Sequence, residues 1–195
     1  RKTDLSTIAT DAMAGLLPWR EVVEPHQDVA TGEFQQAEFA ADLAKVHEGS
    51  APFEYRDPQE FFSRTYLTDG LSLLLEGAAK RLSGVGGDPV VELQTNFGGG
   101  KTHSMLALYH MAGAIPVSEL PGLDQLLAAK ELGVPANINR AVLVGTSRGP
   151  LNPVSLEGGR KIRTTWGELA WQLGGEDAFS LLAENDEKGI APGSA

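Results

Sequence analysis

The stretch that most constrains this chain is Pro89-Val-Val-Glu-Leu-Gln-Thr-Asn-Phe-Gly-Gly-Gly-Lys-Thr-His103. A β-branched apolar run (Val90, Val91, Leu93) meets three glycines, Gly98, Gly99 and Gly100, and Lys101 and Thr102 follow before a helical pattern opens at His103. Strand, glycine loop and helix N-terminus in that order is the setting in which such a motif cradles phosphate. Glycines let backbone N–H groups converge on an anion, and the helix adds the positive end of its dipole. Lys101 is then expected to reach the β- and γ-phosphates, and the Thr102 hydroxyl to ligate Mg²⁺. Thr95 stands where the consensus has its first glycine, five residues before Gly100, so its backbone must reach the same cradle without a positive φ. The candidate nucleotide-binding residues are therefore Thr95, Asn96, Phe97, Gly98, Gly99, Gly100, Lys101, Thr102 and His103, with Lys101 as the catalytic one.

The rest of the chain has to supply a fold that can carry such a loop. At 195 residues it can bury a core, and it suits one domain or one and a half. Residues 1–87 read as a mainly helical segment packing on the nucleotide site. Residues 88–195 read as the first part of an α/β P-loop NTPase core, a parallel sheet flanked by helices with strands near 89–95 and 140–146. Two strands do not complete such a sheet, so further strands are expected beyond residue 195. The start on Arg1 and the loop-like Pro192-Gly-Ser-Ala end fit a piece of a larger protein.

Local signals place the helices. Asp57-Pro58-Gln59-Glu60 has a capping Asp, a proline at the first helical position and a Glu three after the cap. Leu71, Leu74, Leu75, Ala78, Ala79 and Leu82 share a 3.6-residue stripe. Helices are also predicted over residues 4–16, 34–46 (stopped by Gly49), 103–112 and 120–132. Thr165-Trp-Gly-Glu168 reads as a capping box for another, stopped by Gly174 and Gly175, and Asp177 as the cap of a last one.

Composition excludes several classes. With no cysteine, disulfides and thiolate metal sites are out, and cytoplasmic residence is the default. No apolar run approaches the roughly 18 residues of a membrane span. A net charge of −10 argues against nucleic-acid binding by this segment alone. His103 and His110 are seven apart, on one helix face but without zinc-helix spacing. The expected cofactors are thus ATP and Mg²⁺. The absence of an Asn-Lys-x-Asp motif favours ATP over GTP, and the absence of a Gly-x-Ser-x-Gly elbow removes the α/β-hydrolase reading. The run at 140–146 ends without a carboxylate, so the second Mg²⁺ ligand is missing, with the acidic 179–187 stretch as the remaining candidate. Arg148, Arg160, Lys161 and Arg163 could form a phosphate lid or a solvated surface.

Several strings together resemble one family: Val29-Ala-Thr-Gly-Glu-Phe-Gln-Gln-Ala-Glu-Phe-Ala-Ala-Asp-Leu43, Tyr55-Arg-Asp-Pro58, Arg64-Thr-Tyr-Leu-Thr68, Phe97-Gly-Gly-Gly-Lys-Thr-His103 and Trp166-Gly-Glu-Leu-Ala-Trp-Gln-Leu173. From about Leu17 onward the chain resembles the large prokaryotic AAA-type ATPases filed as a domain of unknown function, DUF-499. The resemblance implies an intracellular ATP-binding protein, often joined to a HEPN-type module and often found near anti-phage defence genes. By analogy with AAA-type ATPases, Asp28 and Val29 are expected at the adenine pocket. The leading expectation is an ATP-binding module of a larger ATPase that couples hydrolysis to conformational work. Its partners would be the nucleotide and other copies or domains of the same protein. A P-loop small-molecule or nucleotide kinase and a non-hydrolysing scaffold are the alternatives.

Overall fold

The computed structural model describes residues 23–25, 27–32, 41–94, 100–145, 153–155, 159 and 161–193. The chain divides into two compact units, Arg1–Ala40 and Ala41–Ala195. In the first, α1 (Gln27–Thr31) is the described element. The predicted helices at 4–16 and across 34–40 lie outside the described residues.

The second unit is mostly helical. Asp42 accepts from the Ala44 and Lys45 amides and starts α2 (Leu43–Glu48), which Gly49 ends in the left-handed region. After α3 (Phe53–Arg56), Asp57 accepts from the Glu60 amide and Pro58 sits in the first turn of α4 (Pro58–Ser63), as predicted. Thr68 caps α5 (Asp69–Leu82). The first and second helical patterns are therefore separate helices, divided by residues 64–68. Next come α6 (Lys101–Met111), a 3₁₀ turn (Val117–Glu119) and α7 (Leu123–Ala128). The helix predicted at 120–132 is thus shorter, confined to residues 123–128, and the turn precedes it.

The core follows the stripe. Leu71, Leu75 and Ala79 of α5 pack with Leu106, Ala107 and Met111 of α6, and α4 adds Phe61 and Phe62. Leu75, Ala79, Leu106 and Ala107 are fully buried. At about 25 cal/mol per Å² of apolar surface, this cluster is the principal driving force for folding the 41–134 region.

The expected parallel sheet is corrected by the structure. Among the described residues the strands are β1 (Val154–Ser155) and β2 (Lys161–Ile162), an antiparallel pair with Val154 opposite Ile162. Residues 90–94 and 140–144 take no strand pairing. Val90 and Val91 are 81% and 55% exposed. A β-branched run becomes a strand only when neighbours supply a ladder and a face to pack on, and among the described residues Val90 and Val91 pair with no strand. At Val142 the ladder partner is a side chain instead. The Gln172 amide accepts from the Val142 N–H (2.7 Å) and donates to its carbonyl (2.9 Å). The described architecture is a helical unit with a small hairpin, and not a P-loop NTPase sheet.

Gln172 lies on α8 (Thr165–Ser180), which packs against α9 (Ala183–Lys188). The predicted stop at Gly174 and Gly175 appears as a kink within α8, at Gly175 (φ 61°, ψ −147°). The cap of α8 is Thr164, one residue ahead of the predicted Thr165, and its hydroxyl accepts from the Gly167 amide.

Candidate functional site

The start of α6 differs from the other long helix starts in having no side-chain cap. Its N-cap is Gly100 at φ 74°, ψ 14°. That left-handed conformation costs an L-residue roughly 1–2 kcal/mol. Among the described residues, a Cβ at Gly100 would meet nothing within 4 Å. There is no acidic residue in the first turn of this 11-residue helix. Lys101 and Thr102 are its first two residues, both half-buried. The first-turn amides of a helix have no intrahelical acceptor, and the dipole leaves them favouring negative charge. An anion with several acceptor oxygens suits that arrangement, with Lys101 adding a point charge.

His103, the third residue of α6, is turned onto the helical layer. Its ring stacks on Phe61 (4.6 Å between centroids, 32° between planes), and Nε2 lies 3.0 Å from Thr65 Oγ1. The Thr65 hydroxyl donates to the Phe61 carbonyl (2.7 Å), so it accepts from His103 Nε2–H. Burial lowers the His103 pKa, which favours this neutral form. Two turns further on, on the same face, His110 packs on the same Phe61 ring (5.0 Å) and its Nε2–H donates to the Tyr55 carbonyl (2.8 Å). Its pKa is also lowered, chiefly by burial and further by Arg140, against the Tyr55 bond and Asp57, which raise it. The shared face predicted for the two histidines is therefore occupied by Phe61.

The start of α8 is built differently. Asp186 of α9 is 1% exposed. Its carboxylate accepts from the Arg163 amide (2.9 Å), the Thr164 amide (2.7 Å) and the Thr164 hydroxyl (2.7 Å). A Cβ on Gly167 would collide with this carboxylate. Asp186 lies in the 179–187 stretch considered for Mg²⁺, but its oxygens hold the backbone ahead of α8.

Gly100, Lys101, Thr102 and His103 thus share one helix start, whereas Thr95, Asn96, Phe97, Gly98 and Gly99 lie outside the described residues. Asp28 and Val29 belong to α1 in the first unit, where Val29 is exposed. Lys161 and Arg163 are exposed beside β2, and Arg148 and Arg160 lie outside the described residues. No group of three or more His, Cys, Asp or Glu that could hold a metal occurs among the described residues. No described helix is long and apolar enough to cross a membrane. Sequence reasoning missed Asp186, Gln172 and Thr65, because each acts on a partner that folding brings near from 22 to 38 positions away.

A helical unit with an uncapped, glycine-led helix start carrying Lys-Thr describes the class. The chain belongs to the DUF499 N-terminal domain family, whose model matches residues 20–194. No curated protein and no solved structure matches the chain.

Proposed function

We propose that this domain binds the polyphosphate of ATP, with Mg²⁺, at the start of α6. The observation that carries the reading is the helix start itself: Gly100 in the left-handed region with no side-chain cap, and Lys101 and Thr102 in the first turn. Oriented amides and a lysine are the groups that recognise phosphate. The residues present fit the ligand. The first-turn amides and Lys101 would hold phosphate oxygens, and the Thr102 hydroxyl would offer Mg²⁺ one oxygen. Bound Mg²⁺ would supply charge neutralisation to the phosphates. Gly98 and Gly99 precede the helix in the chain and extend the same chemistry. In the whole protein, binding here would serve an ATPase that couples nucleotide turnover to conformational work.

The test is equilibrium binding of MgATP to the full-length protein and to its Lys101→Ala variant. Hydrogen bonds to a charged group contribute about 1.5–3 kcal/mol, so the variant is expected to bind roughly 10- to 100-fold more weakly. Equal affinity in the two proteins would sink the reading.

A further inference from the structure

We propose that Tyr66 is the platform on which the nucleotide base stacks. This inference rests on reading the start of α6 as the triphosphate site. It begins from the segment 64–68, which links α4 to α5 and is tied down along its length. Thr65 Oγ1 is 3.0 Å from His103 Nε2, and His103 is the third residue of α6. The segment therefore abuts the first turn of the phosphate helix. Phe61, just before it, lies under the same imidazole. Leu67 is half-buried and points at Gly122 ahead of α7. Thr68 caps α5, and its amide donates to the Tyr66 carbonyl (3.0 Å), closing a tight turn. Arg64 is drawn back along α4 by its ion pair with Glu60.

Tyr66 is the exception in this anchored segment. At 85% it is the most exposed large apolar side chain described. Its backbone is held by its neighbours while its ring faces solvent. That combination suits a binding platform, since the ordering cost of the backbone has already been met in the free protein. Every nucleobase has a π-face, and an aromatic ring stacks on it without hydrogen-bond selectivity. Tyr66 would thus favour a nucleoside triphosphate over bare polyphosphate while discriminating little between bases. Thr65 and His103 act as positioning residues, fixing the segment that carries Tyr66 against α6.

The experiment titrates full-length protein with MgATP and, separately, with magnesium tripolyphosphate. Tyr66→Ala is expected to weaken MgATP about tenfold, the order of one lost base–aromatic stack, with tripolyphosphate binding as in the wild type. Tyr66→Phe keeps the ring and should bind MgATP as the wild type does. Thr65→Val should weaken MgATP in the same direction, and its effect should vanish in the Tyr66→Ala background. If Tyr66→Ala binds MgATP normally, the platform is overturned and the phosphate site stands. If Tyr66→Ala weakens both ligands equally, the residue supports the fold and the platform is again overturned. If the wild type binds neither ligand, the phosphate reading fails and takes this inference with it.

Discussion

The starts of α6 and α8 answer the same electrostatic demand in opposite ways. Each leaves amides without intrahelical acceptors and presents the positive end of a dipole. At α8 the chain supplies its own anion, the buried Asp186 carboxylate, together with the Thr164 cap. At α6 it supplies a left-handed glycine and a lysine. The first arrangement stabilises the fold. The second is the start at which phosphate binding is proposed. Side-chain caps serve four of the described helices, through Asp42, Asp57, Thr68 and Thr164, and leaving α6 uncapped forgoes about 1 kcal/mol that a Ser, Thr or Asp would add.

The contrast predicts that substitutions at α8 affect stability and those at α6 affect binding. The largest effect is expected from Asp186→Ala, which strands two amides and a hydroxyl in the interior. A loss of about 3 kcal/mol or more in urea unfolding is the expected result, and a loss under 1 kcal/mol would break the comparison at its α8 end. Next comes Lys101→Ala. MgATP affinity should fall by roughly 2 kcal/mol, while the unfolding free energy stays within about 0.5 kcal/mol of wild type. A large stability loss there would place Lys101 in the fold instead.

Smaller effects sharpen the picture. Thr164→Ala should cost about 1 kcal/mol of stability, as removal of a cap does, whereas Thr102→Ala should leave urea unfolding nearly unchanged and weaken only the Mg²⁺-dependent part of ATP binding. The last prediction concerns pH. The folded-state pKa of His110 is lowered, mainly by burial, so below about 6.5, the unfolded value, the unfolded chain binds more protons. Stability is then fully present above that pH and declines as pH falls toward the lowered folded value. Unfolding midpoints measured between pH 7 and 5 should show the decline, and His110→Gln should reduce its slope.

The residues that were legible in the sequence act locally. Asp57, Pro58 and Glu60 lie within one turn, and the α4 start forms as read. Gly49 ends α2, and the Leu71–Leu75–Ala79 stripe faces the core. The Lys101 helix begins two residues ahead of its predicted start. The sheet failed because strand formation depends on distant neighbours. Val90 and Val91 have β propensity, but among the described residues no adjacent strand turns that preference into a ladder. The α8 cap was misplaced by one residue for a related reason. Thr164 and Thr165 are equally good caps in isolation, and the choice is made by Asp186 far along the chain. Glu168, predicted to complete a capping box, is instead buried and accepts from Gln172. At the site itself, Gly100, Lys101 and Thr102 were legible because a helix start is a local event. Their setting, with His103 fastened to Thr65, was not.

The Gln172 clasp on Val142 has a consequence for chemical ageing. Its amide offers an acceptor to the Val142 N–H, and a donor shared between the Val142 carbonyl and Glu168. Deamidation replaces that NH₂ with oxygen. The product, Gln172→Glu in effect, would set a carboxylate against a carbonyl and a second carboxylate, so two attractions become repulsions through the change of one group. The segment around Val142 would then be released from α8 by slow spontaneous hydrolysis, and faster amide exchange at Val142 in aged protein would be its signature.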